Sequence, residues 1–264
     1  MDEKGFALVT GSSSGIGLAI GRELAGRGYP VFLVSNEEEK IHEAALKISV
    51  DYKVNAKSLY MDLAQYDSAE KLFAYCETND IHVEILVNNA GIFFFRDVIN
   101  TKPDLINKEI DLHIHTPTML TRLFADKMIS GNRKGYILNM ASIAAWMMMP
   151  GITLYSATKS YLRCFSRAIR HEILDKGVSV TTVCPGAVAT GLYRLAPRYM
   201  KLGMALGIIL SPERLARNAV NKMFKKRSEY IPGGFINRLF IFLVVILPEW
   251  LVRILKKKLD RYKS

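Results

Sequence analysis

Phe6–Gly28, FALVTGSSSGIGLAIGRELAGRG, reads as a strand, a glycine turn and a helix in direct succession. Phe6–Thr10 is a short apolar run of the kind a buried strand needs. Gly11-Ser-Ser-Ser-Gly15-Ile-Gly17 follows, and after it apolar residues recur at helical spacing until Gly28. That order aims backbone N–H groups and a helix N-terminus at a phosphate. Gly11 allows the tight turn, Gly15 lets a diphosphate approach the backbone, and Gly17 lets the helix pack on the strand. The same residues formally match G-x-S-x-G, a hydrolase nucleophile elbow with Ser13 as nucleophile. Such an elbow normally follows several strands, however, and here it follows the first; no histidine, His171 included, carries a matching local motif. A glycine-rich turn that binds nothing is the other reading of these residues alone.

Working outward, the pattern repeats. Val31–Ser35 is a second buried strand, Glu37–Val50 is helical, and Ala56–Met61 is a third strand ending at Asp62-Leu63. Ser68–Thr78 is an amphipathic helix, and Glu84–Val87 a fourth strand that runs into Asn88-Asn89-Ala90-Gly91. Phe93–Phe95 suit a pocket rim or the core. Thr101–Ser130 predicts one long helix with a break around Pro117. Gly135–Met140 is a fifth strand that delivers Ser142, Tyr155–Lys176 a further helix, and Val178–Val183 a sixth strand before Cys184–Thr190. Strands alternating with helices predict an α/β domain, a doubly wound parallel sheet covered on both faces. A length of 264 residues suits one such domain.

The chemistry concentrates in Ser142–Lys159, SIAAWMMMPGITLYSATK. Tyr155 and Lys159 are four apart, so a helix puts both on one face. An ammonium beside a phenol favours the phenolate and brings the tyrosine toward a proton donor or acceptor near neutral pH. Ser142 can hydrogen-bond the same substrate oxygen. Alone, Y-x-x-x-K equally describes a half-buried tyrosine and a solvated lysine.

Composition bounds the rest. Half the residues are apolar and 23% are charged, ordinary for a globular protein. MDEKG before FALVT offers no basic n-region, so no signal peptide is expected. Cys76, Cys164 and Cys184 are odd in number and scattered, which predicts free thiols in a reducing cytoplasm. Net charge is +11, and Glu213–Ser264 holds 13 Lys and Arg against 4 Asp and Glu. That basic end suits anionic lipid or an acidic partner; it has no zinc-finger spacing and no aromatic-interleaved RNA motif, so nucleic acid is not expected.

TGSSSGIG at Thr10–Gly17, NNAG at Asn88–Gly91, Ser142, YSATK at Tyr155–Lys159 and PGAVAT at Pro185–Thr190 together resemble the short-chain dehydrogenase/reductase family over roughly residues 5 to 195. The thirteen residues from Ser142 to Tyr155 also fit. The resemblance implies a Rossmann-type sheet of about seven strands, NAD(P)-dependent hydride transfer between a carbonyl and an alcohol, and a homodimer or homotetramer. It implies Tyr155 as general acid/base, Ser142 holding the substrate oxygen, and Lys159 binding the nicotinamide ribose. It places Gly11, Ser13, Gly15, Ile16 and Gly17 around the diphosphate and Asp62 at the adenine. Asn36, Asn89, Ala90, Gly91, Pro185, Gly186, Val188 and Thr190 complete the cofactor site, the last two holding the carboxamide. The domain would then comprise a catalytic core at 1–190, a substrate-covering segment at 191–232 and a basic, apolar tail at 233–264.

Two departures matter. The family asparagine about 29 residues before the serine is replaced by His113, which either keeps the backbone role of that position or adds a titrating group to a proton relay. His113 and His115 point to different helix faces, so no metal site is expected. Ser35 and Asn36 stand where NAD-preferring members often carry Asp, which favours NADP(H) over NAD(H); Glu37–Glu39 counter this. Phe93, Trp146, Met148 and Tyr193 suggest a roomy apolar pocket for a hydrophobic carbonyl compound, a steroid ketone or a 3-oxoacyl thioester. In the tail, Leu239–Leu247 is too short for the roughly 20 residues that span a bilayer. With Trp250 and Lys256–Lys258 it suits an interfacial helix on an anionic membrane, peripheral on its inner face. A non-catalytic dinucleotide-binding scaffold or sensor at a membrane surface is the alternative from another class.

Overall fold

The computed structural model describes residues 4–189 and 209–259. Its strands are β1 (Phe6–Thr10), β2 (Val31–Ser35), β3 (Ala56–Tyr60), β4 (Val83–Asn88), β5 (Gly135–Met140), β6 (Val178–Val183) and β7 (Glu229–Tyr230). All pair in parallel, in the order β3-β2-β1-β4-β5-β6-β7. The helices are α1 (Gly15–Ala25), α2 (Glu38–Tyr52), α3 (Ser68–Thr78), α4 (Pro103–Ile110), α5 (Thr116–Ser130), α6 (Thr153–Ile173), α7 (Pro212–Phe224), α8 (Gly234–Val245) and α9 (Glu249–Leu259).

β1 and β2 read as nearly unbroken apolar runs because both faces of the sheet are covered there. Ala7 and Val9 join the layer that holds α1, α2 and α7, while Leu8 between them joins the layer that holds α3, α5 and α6. Phe32, Leu33, Ile85 and Leu86 are wholly buried in the same alternation. Each side chain of this size contributes roughly 1.5–3 kcal/mol by leaving water. An exposed ion pair such as Lys71–Asp67 is screened by water, so burial decides the architecture.

The sheet reverses its winding between β1 and β4, and ligands of open α/β sheets bind outside the strand ends at that point. β7 has two residues, held to Thr182 and Val183 of β6 and tied to α6 by a 2.7 Å Arg163–Glu229 salt bridge. No apolar run announces it, and the sequence implied it only through the family's strand count. The expected break in the long helix is a π-turn at Asp111–His115, ahead of Pro117. Pro117 has no N–H to give the carbonyl of His113, so the helix widens there by one residue instead of ending.

Candidate active site

The carboxyl ends of β1, β2, β4, β5 and β6 open onto one cavity of about 710 Å³. Gly11, Ser13, Gly15, Ile16, Asn36, Asp62, Asn89, Ala90, Gly91, Ser142, Tyr155, Lys159, Pro185, Gly186 and Val188 all line it. Gly11 takes φ +61, and a Cβ there would stand 2.7 Å from the Cα of Ala90. Gly17 sits behind the wall, where a Cβ would stand 2.2 Å from the carbonyl oxygen of Gly11. Asn89 fixes this contact: its Nδ2 donates to the carbonyls of Thr10 and Gly11, each at 3.0 Å, and its own N–H donates to Thr10 Oγ1. Among the described residues no side chain caps α1. Its first N–H groups therefore face the glycine loop, an anion cradle that a dinucleotide diphosphate fits. Thr190 lies outside the described residues.

Asp62, expected at the adenine, has Oδ1 accepting from the Ala64 N–H at 3.1 Å and Oδ2 3.6 Å from Lys108 Nζ. Glu37 joins the same wall. Its carboxylate accepts from Ser13 Oγ at 2.6 Å and pairs with Lys40. The Lys40 bond first, and the Ser13 bond second, hold it below the usual carboxylate range.

The wall that carries Tyr155 and Lys159 is one stripe of α6. Tyr155, Lys159, Leu162, Ser166, Arg170 and Ile173 recur at three- and four-residue spacing and are all buried. Lys159 Nζ donates to the carbonyl of Met140 at 3.0 Å and lies 5.7 Å from the centre of the Tyr155 ring. Burial pushes its pKa down to about 8, with Glu109 and then Cys184 acting the other way. Phe93 and His113 meet the Tyr155 ring edge-on, at centroid distances of 5.0 and 5.7 Å. Ser142 caps the short turn Ile143–Trp146, its Oγ accepting from the Ala144 N–H at 3.1 Å.

His113 is wholly buried. Its Nε2 accepts from the Ile92 N–H at 3.0 Å, so the ring proton must sit on Nδ1, which donates to Thr158 Oγ1 at 3.0 Å. Thr158 Oγ1 in turn donates to the carbonyl of Tyr155 at 2.9 Å. Burial, and then the Lys159 charge, hold His113 well below the usual imidazole range. An imidazolium would set two N–H groups against each other at Ile92, so this ring is a neutral strut between the Gly91 loop and α6. His115 turns away to stack on Tyr66 at 4.1 Å.

The residues expected around the substrate are less gathered. Phe93 touches Tyr155, but Trp146 lies under the Arg163 guanidinium at 4.1 Å and Met148 is 78% exposed. Among the described residues neither belongs to the cavity wall. An apolar loop carries no periodicity to say which way its side chains turn. Tyr193 lies outside the described residues. Sequence reasoning missed Glu109, a buried acid four residues before His113; the i,i+4 spacing was its one readable signal.

The arrangement can do two things: hold an extended anion on the loop, and exchange a proton at Tyr155 beside a buried ammonium. The profile of a family described as short chain dehydrogenase matches residues 5–198. The chain is 34% identical over 194 residues to very-long-chain 3-oxoacyl-CoA reductase-B of Danio rerio, covering 72% of this chain and 61% of that protein's length. Against hydroxysteroid dehydrogenase-like protein 1 of Gallus gallus it is 31% identical over 249 residues, 93% of this chain and 73% of the relative. The bulky-bulky ketone specific alcohol dehydrogenase of Comamonas testosteroni superposes with a TM-score of 0.78 over 91% of each chain, at 24% identity, and so shares the fold.

Proposed function

The chain belongs to the short-chain dehydrogenase family, and we propose that it is an NAD(P)-dependent oxidoreductase that interconverts a long-chain 3-oxoacyl thioester and its alcohol, with Tyr155 as general acid/base. The observation that carries this is that Ser142, Tyr155 and Lys159 open onto the same cavity as the glycine loop. The non-catalytic scaffold is set aside with it. Bound on that loop, the nicotinamide would supply or accept the hydride. Tyr155 gives its phenolic proton to the carbonyl oxygen in reduction and takes it back from the alcohol in oxidation. Ser142 donates to the same oxygen, and the Lys159 ammonium stabilises the phenolate that Tyr155 leaves behind. His113 acts here as a positioning residue, not as a titrating relay group, because the Ile92 N–H occupies its Nε2.

The thioester is supported by the name of the Danio rerio relative, and the name of the Gallus gallus relative supports a steroid ketone as the second reading. Initial rates across 3-oxoacyl-CoA thioesters of increasing chain length and a set of steroid ketones test both. Under this reading kcat/KM rises with acyl length; bound cofactor with no oxidation across the panel contradicts it.

Cofactor choice turns on Glu37. Ser35 and Asn36 lean to NADP(H), but the ionised Glu37 carboxylate stands in the cavity wall twenty residues past Gly17. An acid at that point of such a fold suits the ribose hydroxyls and opposes a 2′-phosphate. Lys40 already pairs with that carboxylate, so the proposed preference stays with NADP(H), read as the NADPH to NADH ratio in the same panel. A homodimer or homotetramer stays part of the proposal.

The tail supports contact with an anionic membrane surface. α8 exposes Leu239, Phe240, Phe242, Leu243 and Val245, Ile246 follows it exposed, and α9 exposes Trp250 and Ile254 beside Arg253 and Lys256. No helix among the described residues is long and apolar enough to cross a membrane. Apolar surface flanked by cations fits an anionic lipid interface, the place where a long acyl substrate resides. Three lysines near such a surface contribute about 1 kcal/mol each. Replacing Lys256, Lys257 and Lys258 by Gln should therefore weaken co-sedimentation with phosphatidylserine vesicles roughly 100-fold at low salt. Wild-type protein left in the supernatant, or running as a dimer that a Phe242→Glu change dissociates, would assign this surface to a second copy instead. The reading puts the protein on the cytoplasmic face, where Cys76, Cys164 and Cys184 stay reduced; all three are free thiols in the structure.

A further inference from the structure

Glu109 lies in the last turn of α4, one turn before His113, and is 3% exposed. Its Oε1 lies 3.9 Å from His113 Nδ1, beyond hydrogen-bond reach, and that N–H is already given to Thr158. Among the described residues nothing hydrogen-bonds this oxygen. A carboxyl sealed in this way either keeps a proton or answers a cation. Lys159 on α6 reaches the other end of the His113 ring: a Cβ on Gly91 would stand 3.0 Å from His113 Nε2 and 3.6 Å from Lys159 Nζ.

Lys159 has the reciprocal problem. It is buried, and its ammonium has a carbonyl for a partner, that of Met140, which supplies no charge. The titratable groups that face it are Glu109 from α4, His113 from the π-turn, Tyr155 on its own helix and Cys184 after β6. His113 is held neutral by the Ile92 N–H, and burial raises the Cys184 thiol far beyond the physiological range. Among the described residues Glu109 is left, besides Tyr155 itself, as a group whose charge can change near Lys159.

We propose that Glu109 is the internal counter-charge of Lys159, holding the ammonium protonated from behind the π-turn, with His113 and Thr158 keeping α4 and α6 in register. The inference rests on Tyr155 and Lys159 being the proton-transfer pair. Burial raises Glu109 to about 7, with Lys159 opposing, while burial lowers Lys159 to about 8, with Glu109 opposing. The sign follows: neutralising Glu109 removes what raises Lys159, so Lys159 loses its proton at lower pH. The pair thus ties the charge beside Tyr155 to the pH of the surroundings. Glu109 is a positioning residue in this account, since it acts through Lys159.

The test reads Lys159 directly. The full chain, free of cofactor and labelled with ¹³C at lysine Cε, is titrated by NMR, and the Lys159 signal is assigned by its loss in Lys159→Met. Glu109→Gln should move the Lys159 titration down by about one pH unit. Glu109→Met, uncharged with a different shape, should move it equally. In the wild type the same signal should carry a second inflection near pH 7 as Glu109 titrates. An unmoved titration in a folded variant, or a wild-type curve without that inflection, overturns the proposal. Turnover in Tyr155→Phe tests the underlying reading separately, because normal turnover there retires Tyr155 whatever Lys159 does.

Discussion

Replacing Tyr155 by Phe is expected to lower kcat about 1,000-fold while leaving dinucleotide affinity within about threefold. The substitution removes one oxygen. The ring that packs edge-on against Phe93 and His113 stays, and the carbonyl that accepts from Thr158 is backbone. Fold, loop and Lys159 are therefore retained, and what is lost is the proton. Steady-state rates beside a fluorescence titration of cofactor separate the two effects. Loss of binding together with rate would mean that Tyr155 supports the pocket instead of the chemistry.

Gly17→Ala should be nearly as damaging for a different reason. The added methyl would stand 2.2 Å from the Gly11 carbonyl oxygen and 2.6 Å from Asn89 Nδ2. Those two groups hold each other, so α1 has to withdraw from the loop it presents to the diphosphate. A stability loss of about 2–4 kcal/mol is expected, with dinucleotide binding weakened at least about 100-fold. Gly21→Ala is the control. One turn further along α1, its methyl would meet the end of the Leu33 side chain at 3.1 Å, which can yield. That variant should lose about 1 kcal/mol or less and bind normally. Equal damage in both would show that α1 is merely fragile.

β1, β2, β4 and β5 were legible because burial on both faces fills them with apolar residues, β3 and β6 because they fall in the strand–helix alternation, and the glycine loop because its function needs backbone alone. β7 was not legible from its residues: two positions carry no period, and Glu229–Tyr230 is ordered by its neighbours. The π-turn was misplaced onto Pro117, since a missing N–H disturbs the helix at the carbonyl four residues earlier. Glu109 stands beside Lys108 at the end of Asp104–Glu109, where no motif singles it out. Its burial comes from α4 packing on α6, a long-range contact with no local signature. For Trp146 and Met148 the sequence supplied hydrophobicity without direction, and the loop turned them away from the cavity wall.

The most direct test is a single turnover with nicotinamide cofactor deuterated at C4 and a long-chain 3-oxoacyl-CoA, followed by mass spectrometry of the product. Deuterium on the new carbinol carbon in the wild type, with almost none formed by Tyr155→Phe over the same interval, is the predicted result. Product without label in the wild type, or equal labelled product from Tyr155→Phe, would contradict hydride transfer governed by this pocket.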